Sequence, residues 1–381
     1  RANQGDPHPY FELEHTRQAE QIAREVLPWP LDVTKIYLME YEFDGAWHKP
    51  KARADLIQAW NEGSIIMNYT GHGNELLMAH ELVFSLDDIP RLKNIDRLPL
   101  FFAASCRLNK FDMPNSDSVG ELLVKSSVGG SIASIGSTRD SGAGYNSSLN
   151  RGFLSNVFGD QREAPTAFSD LGQALQAGFI ETATHFHIWL NNTKFSLIGD
   201  PALKLVSPSG HGSFSGGGTE QMRRRDTVSL SGTNAGATAG LSGMALVRVS
   251  DSADTSGYIQ PESGEHVDYR LPGETVFEGS AVVSDGDFSS SLVVSALAEE
   301  GPHARIRAYF YGEETDGSFS LEDVALADSV EVSDGRGPDI SMLFEGGGTA
   351  VLPGDQLEIR FYDQNGINLV NRDPSDAILL A

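Results

Sequence analysis

The sequence predicts an α/β head built on a parallel sheet, followed by all-β, Ig-like sandwich domains. Three observations carry this reading. Helix and strand signals alternate through residues 1–206, a stretch dominated by Gly and Ser follows at 207–220, and beyond Asp226 only short strand-like runs occur.

Within the head, HTRQAEQIAREVL reads as an amphipathic helix, TKIYLMEY as a strand, and KARADLIQAWNEG as a helix closed by Gly63. Two apolar runs come next, SIIMNYTGHG and LPLFFAASC. Between them SLDDIPRLKNI carries a helix signal, with Ser85 as N-cap and Asp88 three residues on, an acidic form of the capping box. Strand, helix, strand implies a parallel pair. SVGELLVKSS then reads as a short helix, GGSIASIGS as a buried strand, residues 169–190 as helical, and TKFSLIGDPALKLV as a return to strand. This alternation predicts a parallel sheet covered on both faces.

The 207–220 stretch reads as a linker. Residues 221–334 read as the Ig-like β-sandwich, from TVSLSG, MALVRVSD, TVFEGSAVVSDGDFSSSLVVSA, ARIRAYFY and DSVEVSD, with turns at sandwich spacing. GRGPD at 335–339 opens a further β-domain, and residues 335–381 read as its start, cut off by the end of the chain. A start at Arg1 without methionine is expected of a fragment or a mature piece.

The chain holds 53 acidic and 28 basic residues, a net charge of −25. On charge alone, nucleic acid and anionic lipid would both be repelled, which argues against either as a partner. Such a charge fits a protein kept soluble in salty water outside a cell, and equally a merely acidic surface. One cysteine excludes an internal disulfide. No run of 18 uncharged apolar residues occurs, so no transmembrane helix is expected.

The two apolar runs deliver His72 and Cys106. Parallel strands put both at the carboxyl edge of one sheet, where open α/β folds place their ligands. There a thiol and an imidazole are a candidate nucleophile and base. The thiolate is the reactive form, and a free thiol titrates near pH ~8.5, so a neighbouring base matters. A tetrahedral oxyanion would need donors, and the candidates are the backbone N–H groups of Gly73 and Cys106. The competing reading makes Cys106 a small core residue and His72 a turn residue.

Other chemistry-bearing segments are weaker. His185 and His187 lie two apart in a helical segment and do not share a face, so no metal site is assigned. GDPAL lacks phosphate-loop spacing and Asp200 reads as structural. SDGDFSS and GEETDGSFSLED cluster oxygens without EF-hand spacing and read as solvated turns.

In this order NYTGHGNE, FFAASC, SVGELL, GGSIASIGSTR and KFSLIGDPALKL resemble the gingipain-like cysteine peptidases of caspase-like fold, over most of residues 10–206. The closer likeness is to the type IX secretion sortases, the PorU-type signal peptidases. It rests on NYTGHGNELLMAHE, CRLNKFDMPNSDSVGELL, GSAVVSDGDFSSSLVV and FYDQNGIN. The resemblance implies Cys106 as nucleophile and His72 as base. It makes Ser137, Thr138 and Arg139 a wall of the primary specificity pocket; from the residues alone this is a strand-to-loop turn, with Arg139 facing a substrate carboxylate or an acidic neighbour. An orienting acid lies upstream of the histidine in the family, which points to Glu12 or Glu14 without choosing; His15 receives no role. The family also has earlier strands that would precede Arg1.

The implied function is removal of a C-terminal signal domain from exported proteins, with transfer of the acyl group to an amine of lipopolysaccharide. The implied partners are those protein substrates, the lipopolysaccharide acceptor and other outer-membrane secretion components. The implied location is the cell surface, outer membrane or secreted space. No cofactor is required; structural calcium enters only because relatives bind it. Two other readings stand beside this one: a secreted gingipain-type endopeptidase, and a non-catalytic surface module with a degenerate peptidase head.

Overall fold

In the computed structural model, residues 9–159, 168–206, 208, 210–215, 220–234, 242–260, 263–313, 316–328, 339–344 and 357–362 are described. The chain divides into two compact units. The first comprises Arg1–Ser207 and Thr255–Leu271, the second Pro208–Asp254 and Pro272–Ala381.

In the first unit, helix α1 (Pro9–Glu25) turns Leu13, His15 and Ile22 inward. Helix α2 (Pro50–Glu62) starts with Pro at its first position, where a missing N–H costs nothing, and stops at Gly63, whose φ of 88° suits glycine. It buries Trp60, which stacks on Phe84 at 5.0 Å and donates its indole N–H to the Gly130 carbonyl at 2.9 Å. Strand β1 (Ile66–Thr70) precedes a small antiparallel ladder of β2 (Leu77–Met78) and β3 (Phe84–Ser85). Then come β4 (Leu100–Ala104), helix α3 (Val119–Lys125), β5 (Ala133–Ser137) and helix α4 (Ala143–Phe158). Helices α5 (Leu171–Thr182) and α6 (Phe186–Asn192) lead to strand β6 (Phe195–Ile198).

The main sheet has the order β1-β4-β5-β6. β1, β4 and β5 are parallel, in register Ile66↔Leu100↔Ala133. β4 is buried along its whole length, as its unbroken LFFAA run requires of a central strand. One face packs Phe102 on Phe153 of α4 at 5.2 Å, with Leu149, Leu154 and Val157 around them. The other face packs Phe101 on Trp60. Each such buried side chain contributes about 2 kcal/mol.

Several expectations are corrected. β6 runs antiparallel to β5, pairing Ser137 with Phe195. The reason lies in α6: its Asn191 bonds the Gly142 N–H and the following Lys194 carbonyl accepts from Thr138 N–H, so the chain re-enters from the carboxyl edge and must run back. TKIYLMEY is not a strand. Tyr37 and Leu38 are both buried, which alternation forbids, and Glu40 N–H closes a 3-10 turn onto the Tyr37 carbonyl. SLDDIPRLKNI keeps its Ser85–Asp88 capping box but forms 3-10 helix over Leu86–Arg91 rather than α-helix. Residues 169–190 form two helices, with His185 as the N-cap of the second.

Gly130 joins these layers. Its φ is +143°, and an added Cβ would sit 2.1 Å from the Leu123 carbonyl oxygen, which is backbone and cannot give way. Gly130→Ala is expected to lose about 3 kcal/mol or more, from glycine-only backbone geometry plus overpacking. For a unit of this size that is a fall of roughly 10 °C in the midpoint of its calorimetric transition. An unchanged midpoint would refute the close approach.

Among its described residues, the second unit forms β-strands and no helix. One sheet has five strands in spatial order β13 (Thr275–Val283), β10 (Gly243–Ser250), β15 (Gly301–Tyr311), β16 (Asp316–Ala327) and β8 (Gln221–Arg223), the last pair parallel. The other has β14 (Asp287–Val293), β9 (Thr227–Asn234) and β7 (Gly212–Ser215). One core fills both sheets, fed by alternate residues such as Ala304, Ile306, Ala308 and Phe310. β7 lies inside the stretch read as linker: Phe214 turns inward against Phe319 at 4.6 Å while its serine neighbours face out. Gly216–Thr219 lie outside the described residues, as does most of DSVEVSD. β17 (Asp339–Phe344) and β18 (Leu357–Tyr362) form an antiparallel pair.

Strands β11 (Thr255–Ile259) and β12 (His266–Arg270) pair with each other and cluster with the first unit. Val267 and Tyr269 pack with Leu13 and Tyr37. Among the described residues no helix is long and apolar enough to cross a membrane.

Candidate active site

The register Thr70↔Ala104 between β1 and β4 sets the geometry. His72 and Cys106 each follow their register partner by two residues, so both leave the sheet at the same height on adjacent parallel strands. The His72 loop is pinned through its backbone: the His72 carbonyl accepts from the Ala79 N–H at 2.9 Å and from the Tyr69 hydroxyl at 2.5 Å. Burial holds the Tyr69 phenol well above its usual pKa, so it remains a donor. The His72 ring meets His15 of α1 edge-on at 5.3 Å and His80 at 6.3 Å between centroids.

Gly73 fits against the loop that carries Cys106. An added Cβ would lie 2.7 Å from Ser105 Oγ and 3.3 Å from Leu108. Any larger residue there would push the two loops apart.

Cys106 is partly exposed. Its Sγ accepts from the Ser141 N–H at 3.3 Å, and its thiol reaches the Ser141 carbonyl at 3.4 Å. The next residue, Arg107, has φ +54°, a left-handed turn that costs a non-glycine residue about 1–2 kcal/mol. That turn swings the chain away just after Cys106.

Ser137, Thr138 and Arg139 stand beside this loop, but their polar groups are engaged internally. Ser137 is buried and its hydroxyl donates to the Arg139 carbonyl at 2.7 Å. Thr138 donates through N–H and hydroxyl to the Lys194 carbonyl. Arg139 forks onto Asp112 at 3.0 and 2.6 Å, and the two shift each other's titration outward: the carboxyl below its ordinary range, the guanidinium above. Of the two partners open to Arg139 in the sequence, the structure supplies the acidic neighbour.

Glu14 accepts from Gln18 at 3.0 Å and lies 3.7 Å from Arg17 on its own helix. The Glu12 side chain lies outside the described residues. Among the described residues no group of three or more His, Cys, Asp or Glu is arranged to hold a metal ion. A cavity of about 470 Å³ lies beside β1, lined by His15, Trp60, Tyr69 and Thr70 among others, but neither Cys106 nor His72 lines it.

Ser141, Asp140, Glu75 and the Asn146–Asn191 pair were missed in the sequence. For Asp140 the signal was present, since Arg139 and Asp140 directly follow the SIGST strand end.

Residues 2–206, more than half of the chain, match the model of Peptidase family C25. Among solved structures, the Arg-specific cysteine proteinase gingipain R (RGPB) is similar at 18% identity and a TM-score of 0.38, over 72% of this chain and 56% of that one. The complex of Porphyromonas gingivalis RgpB pro- and mature domains is similar at 17% identity and a TM-score of 0.35, over 72% of this chain and 57% of that one. The chain thus spans little more than half the length of either. No curated protein matches it.

Proposed function

The chain belongs to peptidase family C25, and from that premise we propose that it cleaves peptide bonds with Cys106 as nucleophile and His72 as base. The supporting observation is the in-register ending of β1 and β4, which delivers both side chains to one sheet edge. His72 takes the thiol proton, the sulfur attacks the carbonyl carbon, and the oxyanion is met by the N–H groups of Cys106 and Gly73. His72 returns the proton to the leaving amine. A thioester at Cys106 remains, to be resolved by water or by a second amine.

The substrate assignment is the type IX sortase reading. The enzyme removes the C-terminal signal domain of exported proteins and passes the acyl group to an amine of lipopolysaccharide at the outer membrane. Support comes from the segments around His72 and Cys106 and the β-rich unit that follows, which we read as an Ig-like sandwich that orients the complex. Ser137–Arg139 forms one wall of the substrate crevice; with its own polar groups occupied, it would contribute shape and backbone more than a free charge. An acid on α1, Glu12 or Glu14, would orient the histidine side of the crevice.

Mass spectrometry of cargo C-termini tests this reading. Cells carrying Cys106→Ala are expected to retain the signal domain and lose the lipopolysaccharide conjugate. Normal trimming in that mutant would remove the sortase assignment. If the purified wild type digests casein freely to small peptides, the secreted endopeptidase reading wins.

A further inference from the structure

Three loops meet at the residue after the nucleophile. The Arg107 guanidinium forks onto Asp140, Nε to Oδ1 at 2.6 Å and Nη2 to Oδ2 at 2.7 Å, and approaches Glu75 of the His72 loop at 3.8 Å. The Arg107 N–H donates to the Arg139 carbonyl at 3.3 Å. On the other flank of Cys106, the Ser105 carbonyl accepts from the Ser141 hydroxyl at 3.2 Å. The two neighbours of the nucleophile therefore grip residues 139–141. Between those grips, the Ser141 N–H is aimed at Cys106 Sγ.

The far side of Ser141 is equally held. Asn146 donates to the Ser141 hydroxyl at 2.9 Å, Asn191 donates to Asn146 at 3.0 Å, and Asn191 accepts from the Gly142 N–H at 2.9 Å. Both asparagines are buried. Lys194 caps the Asp140 carbonyl at 2.7 Å. A surface loop with no chemical role has no need of this many fixed points.

We propose that Arg107 and Asp140 are positioning residues that hold the Ser141 backbone N–H against Cys106 Sγ as a donor for the thiolate. The inference rests on Cys106 acting as the nucleophile. When the thiol proton passes to an imidazole nitrogen of His72, the sulfur keeps the electron pair and its bond to the Ser141 carbonyl ends. The N–H then faces an anion, and a charge-assisted bond replaces a weak neutral one. The Ser141 hydroxyl, 3.8 Å from the sulfur, stands by on the same side. An exposed ion pair contributes little to folding, so its removal probes geometry rather than stability.

The experiment measures the rate of Cys106 alkylation by iodoacetamide in the native full chain, with mass spectrometry to fix the site. Because the thiolate is the species that reacts, Asp140→Ala and Arg107→Ala are each expected to slow alkylation by about 10-fold or more. Their melting midpoints should stay close to wild type. Asp140→Asn, which keeps an oxygen for Arg107, should recover most of the rate. Asp117→Ala, which breaks a remote exposed pair with Lys125, should match wild type. Variants that alkylate at the wild-type rate overturn the positioning role while the nucleophile reading stands. A wild-type Cys106 that reacts only after denaturation overturns both.

Discussion

Replacing Cys106 by alanine in the purified protein is expected to lower turnover by roughly 10⁴-fold or more, and His72→Ala by a comparable factor. The double mutant should be no worse than either single one. The argument is chemical: the base has value only through the thiol it deprotonates, so once either is gone the other has nothing left to do. The parallel strands make this a fair test, since both residues lie beyond the paired stretches of β1 and β4 and neither substitution touches the sheet's ladder. Residual activity would come from binding and the oxyanion donors alone. The measurement is kcat on one peptide substrate across the three variants. Multiplicative losses would mean two independent roles and would sink the dyad.

The candidate site was legible in the sequence where chemistry-bearing residues coincide with strand ends. His72 and Cys106 each close an apolar run, and the helix signal between the runs forces a parallel pair, so their shared edge follows without any distance measurement. Ser141 was not legible. It lies 35 residues beyond Cys106 on a loop with no periodicity, and it meets the Cys106 sulfur through its backbone N–H, which leaves no mark in side-chain chemistry.

Helix α4 was hidden for a different reason. Its buried face carries Asn146 and Asn150 among Leu149, Phe153 and Leu154, so the hydrophobic period is broken at the points that matter. The asparagines are tolerated because each is paired: Asn150 exchanges bonds with Asn68 of β1 at 2.8 and 3.0 Å, and Asn146 joins Asn191. These are the contacts that tie α4 to β1 and to α6, so the feature that obscured the helix is also what positions it. β7 was hidden by composition, since a single inward phenylalanine in a Gly/Ser stretch gives no alternation to read. The docking of β11 and β12 on the first unit is a long-range event, driven by partners some 250 residues apart, and no local pattern announces it.

That docking centres on Glu20, and its removal is the largest stability loss expected in the molecule. One oxygen of the buried Glu20 carboxylate accepts from Lys35 at 2.7 Å and from the Tyr37 hydroxyl at 2.8 Å; the other accepts from the Arg270 N–H at 3.1 Å. Lys35 also donates to the Arg270 carbonyl at 2.6 Å, and Tyr269 reaches Glu40. Glu20→Ala would leave the nearly buried Lys35 ammonium without its counter-ion, a change that costs about 3–5 kcal/mol. The pH dependence carries a definite sign. Burial already lowers the Lys35 pKa, with Glu20 opposing it; without Glu20 the folded-state value falls further below its unfolded value of about 10.4. Between those two values the unfolded chain binds more protons than the folded one, so stability must rise with pH across that window. Urea melts of the variant should therefore recover part of the loss on going from pH 7 to pH 10, with a steeper rise than wild type shows. Limited proteolysis should meanwhile find new cleavage within Thr255–Leu271, because the Arg270 N–H has lost its acceptor. A variant within 1 kcal/mol of wild type at pH 7, with that segment still resistant, would mean that the apolar contacts of Val267 and Tyr269 with Leu13 and Tyr37 hold the strands without the carboxylate.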